Sequence, residues 1–120
     1  VSLPVSFPEF SAAELALAHA YLKERFGHEV EVQIVETEVR LSPGDRELAH
    51  CPALYWKEDG CAFVLSRTGL ANYRAMFFYS VKDRFGTGQE EYDNLGDCLV
   101  TLLKVQEDAH ARRAAEVGIR

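Results

Sequence analysis

The side chains best equipped for chemistry fall at three places in the chain: His50-Cys51-Pro52, Lys82-Asp83-Arg84 and Phe85-Gly86-Thr87-Gly88. At the first, a thiolate nucleophile needs a nearby base or positive charge, which a histidine can supply. Sequence neighbours rarely aim their side chains at each other, however, and no further His or Asp has a spacing that completes a triad. A small residue entering a strand is the simpler account of Cys51, so no catalytic residue is assigned. His19, His28, His50 and His110, with Cys51, Cys61 and Cys98, form no C-x-x-C or H-x-x-x-H pair. A metal site would have to be assembled from distant ligands, such as His28 with His50 and Cys51. Solvated or hydrogen-bonded histidines are the plainer reading, and no metal ligand is assigned.

The glycines at 86 and 88 precede a helix, whose N-terminus attracts anions. A P-loop also requires Lys followed by Ser or Thr, and a Rossmann fingerprint a third glycine; both are absent. Glu90, Glu91 and Asp93 would repel a phosphate, so the stretch reads as a turn and no cofactor is expected. Asp83 and Arg84 read first as an ion pair fixing a turn at the end of a strand. With Tyr79 and Tyr92 they are also the candidate ligand-binding set, because phenol and guanidinium groups there offer convergent donors.

Two further patterns point to association. Glu29, Glu31, Glu36 and Glu38 form an acidic stripe, the expected solvent face of a strand, and also a docking surface suited to a basic segment. Tyr55, Trp56, Phe63, Tyr73, Phe77, Phe78 and Tyr79 concentrate aromatic rings in one region. One sheet face covered by two helices has little room for all of them, and rings left outside make an apolar patch. Trp56, Phe63 and Phe78 are the candidate interface residues, and a symmetric homodimer is the expected assembly.

The elements that position these residues begin with a helix at Ser11. Ser11-Ala12-Ala13-Glu14 is a capping box, and Phe10 and Leu15 occupy the positions of a hydrophobic staple. Leu15, Ala18, Leu22 and Phe26 follow at helical spacing before Gly27. Over residues 29–41 the period changes to two, with a phase slip at Ile34-Val35 that suggests a β-bulge or a strand continuing onto a second subunit. Ser42-Pro43-Gly44-Asp45 signals a turn, and residues 46–50 suit a helical turn. Strands over 53–57 and 61–66 flank the loop Glu58-Asp59-Gly60, and residues 73–82 read as the strongest, central strand. A last helix begins between Thr87 and Asn94 and runs to about Ala115, with Leu95, Leu99, Leu102, Leu103 and Gln106 inward and Gly118 beyond its end. Residues 1–10, with Pro4 and Pro8, read as an extended lead-in.

The fold expectation is therefore α+β: a single domain over 1–120, with an antiparallel sheet of four to five strands and both terminal helices packed on one face. Short turns between strands disfavour a doubly wound α/β arrangement. Length, 48% apolar and 27% charged residues suit one globular core. No apolar run reaches the roughly 20 residues of a membrane helix, and the first residues lack the pattern of a secretory signal. The formal charge of −6 argues against nucleic-acid binding. Three widely spaced cysteines suit reduced thiols in a cytoplasmic protein. The functional expectation is a small homodimeric binding or adaptor protein, acting through its aromatic sheet face and acidic stripe on a protein partner. The alternative is a compact enzyme or small-molecule-binding domain at Tyr79, Asp83, Arg84 and Tyr92.

Overall fold

The Ser11 hydroxyl accepts the Glu14 amide at 3.1 Å while the Glu14 carboxylate accepts the Ser11 amide at 2.9 Å, closing the capping box. This is the start of α1 (Ala12–Phe26) in a computed structural model that describes residues 7–116. Gly27, at φ 79°, ends the helix in the left-handed conformation, its amide bonded to the Lys23 carbonyl at 2.7 Å. Five strands follow: β1 (Gln33–Val39), β2 (Ala49–Glu58), β3 (Cys61–Gly69), β4 (Asn72–Phe78) and β5 (Arg84–Gly86). They form one antiparallel meander in chain order, and α2 (Leu95–Glu116) follows β5. Asn94 caps α2, its side-chain oxygen accepting the Asp97 amide at 2.9 Å. Both helices lie on one face of the sheet, so the architecture is α+β.

Directly paired residues share a sheet face, so the register sorts every side chain. Trp56, Phe63, Phe77 and Phe85 align across β2, β3, β4 and β5 under the helices, with successive ring centroids 5.2, 6.2 and 5.2 Å apart. Leu54 and Leu65 form the next row. Against these pack Ala18 and Leu22 of α1 and Leu95, Leu99, Leu102 and Leu103 of α2, all buried.

The β2–β3 connection is tighter than the loop read from the sequence. Only Asp59 and Gly60 lie between the strands, at φ 59° and 70°, as the two-residue mirror-image turn requires. β2 also starts earlier than expected, running through Pro52, and residues 46–48 form no helical turn. Pro52 is tolerated because β2 pairs with β3 only from Ala53 onward; before that it bonds to β1 alone. No bulge accompanies the phase change at Ile34-Val35, since β1 pairs without a shift. Residues 29–32 lie outside the strand, which explains the change of period, and the irregularity falls instead between Arg67 and Gly69. The run 73–82 is broken after Phe78 by a turn in which the Tyr79 amide reaches the Asp83 carbonyl at 3.0 Å, and the chain returns as β5. The lead-in over residues 1–6 and Gly118 lie outside the described residues.

Gly60 needs positive φ and Gly44 does not. Gly60→Ala is expected to destabilise the chain by about 1–2 kcal/mol, and Gly44→Ala by no more than about 0.5 kcal/mol. Urea denaturation of the two variants beside the parent checks the difference.

Candidate functional site

Because strand side chains alternate, the aromatic row under the helices forces its sequence neighbours to the opposite face. There Gln33, Tyr55, Val64 and Met76 align across four strands. Lys57, Ala62, Phe78 and Arg84 form the row on one side of them, and Val35, Ala53, Ser66 and Arg74 the row on the other. Neither helix covers this face. Val35, Tyr55, Val64, Met76 and Phe78 are half-buried there. Those three rows carry no carboxylate, in a chain of formal charge −6. Beside Phe78, a hollow of about 450 Å³ is lined by Tyr55, Lys57, Gly60, Cys61, Ala62, Phe78, Tyr79, Ser80 and Val81.

Polar side chains border the other end of the face. The Thr37 and Ser66 hydroxyls meet at 3.1 Å across β2, in the space that small Ala53 and Cys51 leave between them. Glu91 accepts Thr68 Oγ1 at 2.9 Å, Asn72 Nδ2 at 3.0 Å and Arg74 Nε at 3.1 Å. Arg74 Nη2 reaches back to the Leu41 carbonyl at 3.0 Å, tying the β1–β2 loop to β4. These partners satisfy the charges locally and leave the apolar rows as the uncommitted part of the face.

The ligand-binding set read from the sequence does not converge. Tyr79 lies on the helix side, its hydroxyl 3.4 Å from Gln106 Nε2 and its ring 3.9 Å beneath the Arg113 guanidinium. Arg113 also approaches Asp83 at 3.9 Å, so these two members are linked through α2. Arg84 pairs with Phe78 and therefore stands on the opposite face, its Nε bonded to the Val81 carbonyl at 3.1 Å. Tyr92 is buried, its hydroxyl donating to Thr87 Oγ1 at 2.6 Å. Asp83 and Arg84 thus make no ion pair with each other. Of the interface candidates, Trp56 and Phe63 are sealed in the core at 1% and 0% exposure, and only Phe78 lies on the uncovered face. The correct partition was available from the Asp-Gly dipeptide: a two-residue turn pairs Trp56 with Phe63 and puts Tyr55 with Val64 on the other side.

His50 and Cys51 also separate. His50 Nδ1 is 2.7 Å from Glu36 Oε1 on the helix side of the sheet, and that hydrogen bond raises its pKa. Cys51 is buried on the other side, and burial raises its thiol pKa, as it pushes Cys61 up to about 11 and Cys98 up to about 12. Thiols in that state are poor nucleophiles. His28 is engaged at the far end of β2, with Nε2 2.8 Å from Glu58 Oε1. Among the described residues no group of three His, Cys, Asp or Glu side chains could hold a metal ion.

One ionic cluster escaped the sequence reading. Arg67 stands in the inward phase of β3 after Phe63 and Leu65, and pairs with Glu14 of α1. The same carboxylate accepts the Tyr73 hydroxyl at 2.6 Å, and Arg67 Nη1 donates to the Leu70 carbonyl at 2.8 Å. An arginine in register with core residues was the signal, because such a charge needs a buried partner. Burial pushes the Tyr73 hydroxyl up to about 12, with the Glu14 hydrogen bond adding to it. Burial alone would raise the Glu14 carboxyl; the Ser11 amide, the Tyr73 hydroxyl and Arg67 outweigh it and hold the carboxyl below its usual value. The cluster fastens α1 to the sheet. No family model matches the chain, and neither the curated proteins nor the solved structures compared with it give a match.

A lowered carboxyl pKa adds stability above its unfolded value, near 4.5, that is lost as pH falls through the folded value. Glu14→Ala leaves Arg67 buried without its carboxylate and is expected to cost about 3 kcal/mol at pH 7. Glu14→Gln is expected to flatten the fall in stability below pH 4.5. Urea denaturation of both variants and the parent at several pH values measures the two effects.

Proposed function

We propose that the protein is a small homodimeric binding or adaptor protein whose subunits meet through the uncovered sheet face. The observation that carries this reading is the row Tyr55, Val64 and Met76, with Phe78 beside it: apolar, contiguous and covered by neither helix. Contiguous apolar surface of this kind marks association sites on folded domains. A surface that meets its own copy must also keep like charges apart; the central row carries no charged side chain, and the cations Lys57, Arg74 and Arg84 stand in the rows that flank it. Two such faces stack in the manner of a sandwich, about 10 Å apart with interdigitated side chains. Trp56 and Phe63, being enclosed, take no part.

Dimerisation leaves the acidic β1 side of each subunit outside the interface and available to a protein partner. The reading places the protein in a reducing compartment such as the cytoplasm, in keeping with three buried, unbridged thiols. No helix among the described residues is long and apolar enough to cross a membrane.

Sedimentation equilibrium tests the assembly. The parent chain is expected to be a dimer at micromolar concentration. Val64→Arg, which sets a charge at the centre of the row, is expected to weaken the dimer about thirtyfold, equivalent to ~2 kcal/mol, with the circular dichroism of the folded subunit retained. A parent chain that stays monomeric throughout the micromolar range refutes the proposal.

A further inference from the structure

The sheet has two edges of unequal character. β5 is three residues long, whereas β1 offers seven and has a neighbour on one side only. No backbone group of residues 33–39 bonds to anything outside the β1–β2 ladder among the described residues. A long unpaired edge is a template for another strand, and natural sheets usually shorten, cover or charge such edges. Here it is neither short nor covered, and it is charged with one sign. Ile34, Glu36 and Glu38 project on the same side, with Ile34 52% exposed.

That charge decides which strand fits. Two copies of β1 paired antiparallel about a two-fold axis at residue 36 set Glu36 against Glu36; an axis at 37 sets Glu36 against Glu38. Like charges directly opposite destabilise a strand pair. In these two registers a second copy of this edge is repelled, while a strand carrying cationic side chains at alternate positions is attracted in any register that sets them against the glutamates. The chain before β1 extends the same preference. A hollow of about 410 Å³ opens where residues 29–32 diverge from β2, and Glu29, Glu31 and Glu58 line it beside Tyr55 and Lys57. It has room for a long basic side chain at the end of an added strand.

We propose that the outer edge of β1 binds an extended protein segment with Lys or Arg at every second position, which joins the sheet as a sixth strand. Backbone hydrogen bonds supply the pairing and the glutamates select the sequence, the division of labour seen in strand addition generally. The proposal deepens the binding-protein reading by naming the partner's chemistry, and it does not depend on the dimer.

The probe is a capped peptide in which lysine and valine alternate, titrated calorimetrically into the full chain at low salt. Saturable binding is expected, with slower amide hydrogen exchange confined to residues 33–39. The double variant Glu36→Lys/Glu38→Lys is expected to weaken binding at least about tenfold; its exposed positions leave the fold intact, as circular dichroism would confirm. A peptide with glutamate in place of lysine is expected not to bind. The lysine peptide methylated at every backbone nitrogen keeps its charge but cannot pair, and should also fail. Equal binding of the methylated peptide would overturn the proposal by reducing the interaction to charge alone. So would the absence of binding by the unmodified peptide. Sedimentation of the same samples reports the dimer separately, so the two readings stand or fall independently.

Discussion

Ring-to-ring packing of Trp56, Phe63, Phe77 and Phe85 across four strands on the helix side constrains the rest of the molecule. Each aromatic pair contributes about 0.5–1.5 kcal/mol beyond the apolar area it removes from water. The larger consequence is register. A slip of one residue in β2, β3 or β4 would expel Trp56, Phe63 or Phe77 from the core and bring Tyr55, Val64 or Phe78 inward. Locking one row inside thus locks the composition of the opposite face. The apolar surface there follows from the same alternation that builds the core, and no separate structural device is needed to display it.

Features set by short-range chemistry were legible in the sequence. The α1 cap, its glycine stop and the inward stripe of α2 each depend on residues three or four positions apart, and all of them form. Features set by pairing between distant segments were less so. β5 exists because the turn after Phe78 returns the chain to β4, which composition around Gly86 does not reveal. The extension of β2 through Pro52 depends on the stagger between β1 and β3. The same limit applied to the candidate site. Counting rings identified the aromatic region but not its two sides. Tyr79, Asp83, Arg84 and Tyr92 are near in sequence, yet strand alternation and the turn send Arg84 to one face and Tyr79 to the other.

Electrostatics sort the chain in a consistent way. The inward charge, Arg67, is neutralised by Glu14 and donates from Nη1 to the Leu70 carbonyl, while its Nε has no hydrogen-bond partner. On the uncovered face, Arg74 is held by Glu91 and by loop carbonyls, so its charge is already engaged. Exposed carboxylates without such enclosure gather along β1 and the segment before it, where His50 and Lys23 are the nearest cationic partners, at Glu36 and Glu29. Both of those pairs are solvent-exposed and contribute little, so the negative potential along that edge persists.

The separation of these surfaces has a mechanical consequence. In the proposed dimer the apposed sheet faces would occupy the rows that contain Tyr55 and Val64, and would leave the outer backbone of β1 unpaired in each subunit. A dimer of that kind carries two acidic strand edges related by its symmetry axis. A partner with two basic segments joined by a linker of matching reach would then bind the second edge at high effective concentration. Weak strand pairing at either edge would be enough for stable capture by both. Such an arrangement makes affinity depend on dimerisation without any contact between the partner and the dimer interface.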